Sequence, residues 1–165
     1  MATTSLRGAP VRTTGSLPEV GSAAPDLVLT THDLGDLTSE HLRGRRVVLN
    51  IFPSIDTGVC ATSVRTFNEL AADLDRTVVV CVSEDLPFAQ ARFCGAEGIE
   101  NVTVASAFRS TFGDDFGLTM QDGPMRQLLA RAVVVLDEDG RVLHTELVPQ
   151  ISQEPDYDAA VAALS

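Results

Sequence analysis

One cysteine, Cys60, lies where an apolar run gives way to a helical pattern, and this position can give its sulfur a chemical role. Unpaired backbone N–H groups and the positive end of the helix dipole stabilise a thiolate in the first turn of a helix. The thiolate is the nucleophilic form of cysteine. Thr57 brings a hydroxyl that can accept from the thiol or donate to the thiolate and to a substrate oxygen. Pro53 fixes the chain's exit from the strand and can shield the sulfur on one side.

The remaining cysteines and the histidines narrow the possible chemistry. Cys81 lies in a β-branched run and is predicted to be a buried, inert thiol, whereas Cys94 lies on a predicted helix. Three cysteines do not form a secreted disulfide scaffold. The absence of a Cys-x-x-Cys motif disfavours a zinc ribbon and a thioredoxin-type redox pair. His32, His41 and His144 have no ligand spacing, so we expect no metal site.

Alternating apolar runs and helical patterns define the elements that must position these residues. Val64, Phe67, Leu70 and Leu74 recur at helical spacing after Cys60, and Asp139-Gly140 is typical of a hairpin turn. Strands are predicted at 27–29, 46–52, 77–82, 101–105, 132–136 and 141–148. Helices are predicted at 60–74, from Asp85 to Gly95 or Gly98, within 107–116, and at 156–164, while 34–45 is predicted to be polar and turn-rich.

This order of elements predicts an α/β fold, a thioredoxin-like three-layer sandwich with a central mixed sheet. Residues 1–20, rich in Thr, Ser, Gly and Pro, are predicted to form an N-terminal arm with a hairpin extension. Residues 21–165 form the thioredoxin-like domain, so the chain is expected to be a single domain overall. The fold alone does not give the function.

Composition excludes several classes of partner. The formal net charge is −11, and the only tight basic group, Arg43, Arg45 and Arg46, is best interpreted as a solvated turn before a strand. Nucleic acid and anionic membranes are therefore not expected to bind. No apolar run approaches the roughly 20 residues needed to span a bilayer. The first residues also lack the apolar core of a secretory signal, so we expect a cytoplasmic protein.

Several motifs agree in order and spacing with one family. Pro53, Thr57 and Cys60 form the pattern Pro-x-x-x-Thr-x-x-Cys at a strand-to-helix junction. Further matches lie at 50–60, 83–95, 108–109, 122–124, 130–135 and 154–157. From about residue 21 to the C-terminus, the chain resembles the bacterial thiol peroxidase family, the atypical two-cysteine peroxiredoxins.

The resemblance implies a role for each matching residue. Cys60 matches the peroxidatic cysteine, Thr57 and Pro53 its neighbours, Arg131 the arginine that approaches thiolate and substrate, and Cys94 the resolving cysteine. It implies that hydrogen peroxide and organic hydroperoxides oxidise Cys60 to a sulfenic acid, which Cys94 converts to an intramolecular disulfide. It further implies thioredoxin as the reductant and a homodimer as the working unit. No cofactor or metal is required by this chemistry.

Formation of the disulfide requires Cys60 and Cys94 to come close together, although they lie on different predicted helices. A disulfide requires Cα atoms within about 7 Å of each other, so we predict that regions 57–64 and 87–97 differ between reduced and oxidised protein. Gly58 and Gly95 would lower the cost of unwinding.

Three other functions stay open. The chain could be a peroxide sensor that passes oxidation to a partner protein, a thioredoxin-like disulfide oxidoreductase, or a thioredoxin-fold binding module without catalysis. A persistent mixed disulfide with a client protein would favour the sensor. Activity in an insulin-reduction assay would favour the oxidoreductase, although the missing Cys-x-x-Cys counts against it. The binding module would leave the conjunction of Cys60, Thr57, Arg131 and Cys94 as coincidence.

Overall fold

A computed structural model describes all residues, 1–165. The strands are β1 (Thr3–Leu6), β2 (Ala9–Arg12), β3 (Val28–Thr30), β4 (Asp36–Thr38), β5 (Arg46–Ile51), β6 (Thr77–Ser83), β7 (Thr103–Ser106), β8 (Ala132–Leu136) and β9 (Val142–Leu147). The helices are α1 (Ser39–Leu42), α2 (Gly58–Ala71), α3 (Pro87–Glu97), α4 (Phe112–Asp115) and α5 (Tyr157–Ala162). None of these helices is long and apolar enough to cross a membrane.

Seven strands form one mixed sheet in the order β4-β3-β7-β6-β5-β8-β9. β5, β6 and β7 run parallel to one another, and β8 runs antiparallel to β5. The parallel strands are joined through α2 and α3, as strand–helix–strand alternation in the sequence predicts. β1 and β2 pair separately as an antiparallel hairpin. The predicted mixed sheet and the N-terminal hairpin are therefore confirmed.

The two faces of the sheet carry separate apolar clusters, because neighbouring side chains on a strand point in opposite directions. On β5, Val47 and Leu49 join a cluster that includes Phe112 of α4, while Val48 joins a cluster that includes Phe67 of α2. The second cluster also takes residues of α5 and packs against α3. The sheet is thus covered by helices on both faces, which confirms the predicted three-layer α/β sandwich.

The main differences from the predictions are two missed elements and two helix ends. The region 34–45 contains strand β4 and helix α1, which were not predicted, because a three-residue polar edge strand carries almost no periodic signal. α2 ends at Ala71, so Leu74 lies in the following turn. α3 begins at Pro87 with Leu86 as its N-cap, so Asp85 lies outside the helix that it was predicted to open. The boundary between residues 20 and 21 stays a prediction.

Candidate active site

The sheet topology gathers the predicted residues at one edge. β5, β6 and β7 are parallel, so their C-terminal ends meet at the same edge of the sheet. β8 is antiparallel to β5, and the pairing of Ile51 with Ala132 places the start of β8 beside the end of β5. The segment between β5 and α2 is thereby brought next to Arg131, which immediately precedes β8.

Cys60 is the third residue of α2, which begins at Gly58, and its side chain is fully buried. Its position in the first helical turn matches the expectation from the sequence. The carbonyl of Cys60 accepts a hydrogen bond from the Ser63 hydroxyl at 2.7 Å. Phe67 on the same helix packs edge-to-face against Tyr157 of α5, with ring centroids 5.1 Å apart. This aromatic pair fixes α2 against the helix that follows β9.

Arg131 reaches the sulfur directly. Its Nη2 donates to Cys60 Sγ at 3.1 Å, and its Nε donates to the Ile151 carbonyl at 2.8 Å. The backbone carbonyl of Arg131 accepts from Val148 N–H at 3.0 Å, which ties the residue to the end of β9. Only 1% of Arg131 is exposed. The guanidinium is therefore held in one orientation, with Nη2 towards the sulfur of Cys60.

No carboxylate compensates the charge of Arg131, since none of the ion pairs in the protein includes it. An unpaired buried cation is costly, so an anion in contact with it is favoured. The sulfur of Cys60 is the side-chain atom that lies in contact with it. Arg131 Nη1 is also buried and has no hydrogen-bond partner, which leaves its two N–H donors unused.

Thr57 and Pro53 both precede α2, the helix that carries Cys60. Pro53 is buried two residues after the end of β5, and Thr57 is the N-cap of α2. The Thr57 hydroxyl donates to the Ser54 carbonyl at 3.1 Å and makes no hydrogen bond to Cys60. The structure therefore brings Arg131 and Cys60 together, while the predicted contact between the Thr57 hydroxyl and the sulfur is not formed in this conformation.

Cys94 lies half-buried on α3, and all three cysteines carry free thiols. Burial raises the pKa of the Cys94 thiol. Two exposed ion pairs, Arg65 with Glu97 and Arg92 with Asp56, link α3 to α2 and to the turn before it. A groove of about 450 Å³ runs between these helices.

Cys81 lies at the centre of the sheet and is fully buried. Burial raises its pKa to about 12, although Asn50 Nδ2, at 3.6 Å from the sulfur, acts in the opposite direction. It therefore stays a neutral thiol at neutral pH, as predicted for an inert residue. No group of three or more His, Cys, Asp or Glu side chains in the protein could hold a metal ion.

The sequence analysis missed two groups that shape this edge. The Ile151 carbonyl orients Arg131, but a backbone acceptor in a turn leaves no signal in side-chain patterns. Asp85 contacts the segment before α2 through Ser54 and Ile55, although the sequence marks it only as a polar residue before a helix. Its position after β6, a strand parallel to β5, is the one feature that could have indicated this contact.

The chain is similar to known proteins along nearly its whole length. The family model described as Redoxin matches residues 19–161. A thiol peroxidase of Mycobacterium tuberculosis is 63% identical over 164 residues, which cover 99% of each chain. A thiol peroxidase of Corynebacterium glutamicum is 58% identical over 165 residues, which cover 100% of each chain.

Two solved structures share the architecture. A peroxiredoxin-like protein from Aquifex aeolicus superposes with a TM-score of 0.94 at 40% identity, covering 99% of this chain and 96% of that chain. A thiol peroxidase from Chromobacterium violaceum superposes with a TM-score of 0.91 at 17% identity, with the same coverage, and supports the fold alone.

Proposed function

We propose that Cys60 is the peroxidatic cysteine and Cys94 the resolving cysteine of this chain, which belongs to the Redoxin family and is a thiol-dependent peroxidase. The observation that carries the assignment of Cys60 is the contact of 3.1 Å between Arg131 Nη2 and Cys60 Sγ, both of which belong to buried side chains. A fixed cation at this place stabilises negative charge that develops on the peroxide oxygens.

In the first step, the Cys60 thiolate attacks the terminal oxygen of a hydroperoxide. The S–O bond forms as the O–O bond breaks, Cys60 becomes a sulfenic acid, and the alkoxide or hydroxide leaves with a proton as alcohol or water. Arg131 Nη1, which is buried without a partner, is proposed to donate to one of these oxygens. Thr57 is proposed to turn its hydroxyl towards the peroxide, and Pro53 to exclude water from one side of the sulfur.

In the second step, the Cys94 thiolate attacks the sulfenic sulfur, the S–S bond forms, and the Cys60 oxygen leaves as water. Cys94 is half-buried on α3, which the ion pair between Arg65 and Glu97 links to α2, and we propose that the segment carrying Cys94 opens before this step. Gly95 beside Cys94 lowers the cost of that opening. We therefore propose different conformations of 57–64 and 87–97 in reduced and oxidised enzyme.

Re-reduction requires an external dithiol, and we propose thioredoxin for this role. Exchange through a mixed disulfide returns both cysteines to thiols and leaves the oxidised pair on the donor. A cytoplasmic location fits this cycle, because reducing compartments keep such dithiols available.

The working unit is proposed to be a homodimer. Leu86, Phe88 and Phe108 are exposed at 50%, 66% and 41%. They follow the neighbouring strands β6 and β7, and the Ser106 hydroxyl donates to the Asp85 carbonyl between them. Exposed aromatic side chains grouped in this way are typical of protein interfaces. Sedimentation should give a dimer for the wild type and a monomer for Phe88→Glu, and a wild-type monomer would contradict the proposal.

The proposed function is tested by consumption of cumene hydroperoxide in the presence of thioredoxin, thioredoxin reductase and NADPH. Cys60→Ser should abolish turnover, because the nucleophile is lost. Cys94→Ser should react once and then stall, because the sulfenic acid is not resolved. Cys81→Ala is the matched control, since this cysteine is buried at the centre of the sheet, and it should retain turnover.

Undiminished turnover in Cys60→Ser would overturn the assignment of the peroxidatic cysteine. A Cys94→Ser variant that turns over like the wild type would overturn the assignment of the resolving cysteine. Rapid oxidation of wild-type Cys60 without turnover with thioredoxin would exclude thioredoxin as the reductant and favour a peroxide sensor.

A further inference from the structure

The carboxylate of Asp85 accepts hydrogen bonds from donors on two segments of the chain. Its Oδ1 accepts from the Ser54 hydroxyl at 2.7 Å. Its Oδ2 accepts from the Ile55 backbone N–H and from the Ser83 hydroxyl, each at 2.6 Å. Three donors and no acceptor face the side chain, so its two oxygens act only as hydrogen-bond acceptors.

Two of these donors belong to the turn that leads into the helix of Cys60. The Ser54 hydroxyl, besides donating to Asp85, accepts from Asp56 N–H at 3.1 Å. The Ser54 carbonyl accepts from both the hydroxyl and the backbone N–H of Thr57, at 3.1 and 3.2 Å. Asp85 therefore holds the turn whose own hydrogen bonds set the position of Thr57, the N-cap of α2.

The third donor continues the network into the helix of Cys94. The Ser83 hydroxyl accepts from Gln90 Nε2 at 3.0 Å, and Gln90 Nε2 also donates to the Ala105 carbonyl at 3.0 Å. Gln90 is 1% exposed and lies one turn before Cys94 on α3. One carboxylate thus joins the turn before Cys60 to the anchored first part of α3.

We propose that Asp85 is a positioning residue of the peroxidase reaction, an inference that rests on the proposed role of Cys60. It acts through Ser54 and Ile55, which hold the 54–57 turn against the end of β6 and fix the space beside the sulfur where the peroxide must lie. Attack requires the peroxide oxygen about 3 to 3.5 Å from the sulfur and in line with the O–O bond, so a loosened turn lowers the rate.

The test compares two reactions of the same sulfur in Asp85→Asn. The amide retains the shape of the carboxylate, but its NH2 group brings two hydrogen-bond donors to a site where three donors already face the side chain. The second-order rate constant for oxidation of Cys60 by cumene hydroperoxide, followed by rapid quenching and mass spectrometry, should fall at least about tenfold, since it depends on peroxide alignment. Alkylation of Cys60 by iodoacetamide should not slow, because it does not require a hydroperoxide aligned beside the sulfur.

Asp137→Asn is the matched control. Its carboxylate also accepts from backbone N–H groups, those of Asp139 and Arg141, but it lies beyond the opposite end of β8 from Arg131. This variant should oxidise and alkylate like the wild type. Ser54→Ala is a second test variant, which removes one donor and retains the carboxylate, and its oxidation rate should fall severalfold. If Asp85→Asn does not fold, Ser54→Ala decides the question.

Oxidation in Asp85→Asn within twofold of wild type would overturn the proposal, and so would a parallel fall of oxidation and alkylation, which would indicate damage to the thiolate itself. An unchanged oxidation rate in Ser54→Ala would also overturn it. Failure of the proposed function is distinguishable, because Cys60→Ser would then still consume cumene hydroperoxide in the turnover assay with thioredoxin.

Discussion

At the scale of single residues, the relation between Arg131 and Cys60 dominates the site. The two residues are 71 positions apart, yet Arg131 Nη2 lies 3.1 Å from the sulfur. Arg131 is 1% exposed and has no carboxylate partner, so its burial is compensated chiefly by the sulfur and by the Ile151 carbonyl. A cation held in this way also faces the charge that develops during peroxide cleavage.

We expect Arg131→Gln to lower the second-order rate constant of Cys60 oxidation by about a hundredfold, the usual effect of losing one preorganised donor. Competition with a second peroxidase for limiting hydroperoxide measures this constant. Arg126→Gln is the control, because Arg126 is exposed and bonds only to the Gly123 carbonyl. A loss of less than threefold in Arg131→Gln would show that the contact with sulfur is not used in the reaction.

The protonation of Cys94 sets the pH dependence of disulfide formation. Burial raises the pKa of this thiol, so the folded enzyme holds it in the neutral form at neutral pH. Because the attacking species is the thiolate, the rate should rise with pH, by up to about tenfold per pH unit below that pKa. Trapping the products with an alkylating agent after one equivalent of peroxide measures the rate, and a rate that is flat between pH 6 and 9 would contradict this prediction.

The roles of Cys60 and Cys94 were predicted from the sequence on different grounds. The position of Cys60 between a buried strand and a helix carries a physical signal of its own. The roles of Arg131 and Cys94 came from the resemblance, since no periodicity connects residues so distant in the chain. Asp85 was missed because its partners, Ser54 and Ile55, lie on another segment and only the parallel pairing of β5 with β6 brings them together.

At the scale of elements, α3 has a buried beginning and a more exposed second part. Pro87 and Gln90 are buried, whereas most residues after them are exposed or half-buried. Gly95 lies in this second part next to Cys94, and nothing lies within 4 Å of the position that a Cβ would take. Glycine within a helix costs about 0.5 to 1 kcal/mol relative to alanine. The helix is thus weakest where the resolving step requires it to open.

We therefore expect Gly95→Ala to slow formation of the Cys60–Cys94 disulfide by about two- to fivefold, because the substitution stabilises the closed helix by about 0.5 to 1 kcal/mol. Ala91→Gly, at an exposed position of the same helix, should accelerate the step by a similar factor. Quenched time courses after stoichiometric oxidation measure both. Equal rates in the two variants would mean that opening of α3 does not limit the step.

The predictability of the elements follows their length and periodicity. α2 and β5, β6 and β8 were found because their apolar patterns are strong. β4 and α1 were missed because β4 is three residues long and is defined by pairing with β3, with Leu37 opposite Leu29, and not by a pattern of its own. The end of α2 was misplaced because Leu74 continues the helical spacing beyond the last helical residue, Ala71.

At the scale of the whole molecule, the fold brings the ends of four neighbouring strands to one edge. The alternation of strands and helices made the α/β class predictable, but the antiparallel insertion of β8 beside β5 was not, because strand order depends on pairing across the whole sheet. This pairing puts the start of β8 beside the end of β5. The contact between Arg131 and Cys60 is therefore a property of the topology.

The same sheet encloses Cys81, and this burial links the stability of the molecule to pH. The pKa of Cys81 is raised from 9.0 to about 12 by desolvation in the folded state. A group whose folded pKa is raised binds its proton more tightly in the native state. Its contribution to stability is complete below pH 9 and is lost as pH rises towards 12, because the unfolded chain releases the proton first.

Between about pH 9 and pH 12, we expect the free energy of unfolding of the wild type to fall relative to Cys81→Ala by about 1.4 kcal/mol per pH unit. Urea unfolding of both reduced proteins at pH values from about 8 to 10.5 measures the difference. The other two cysteines are present in both proteins, so their titration cancels. Parallel stability curves would mean that Cys81 ionises in the folded protein as easily as in the unfolded chain. The centre of the sheet would then have to admit water around this sulfur, contrary to its complete burial.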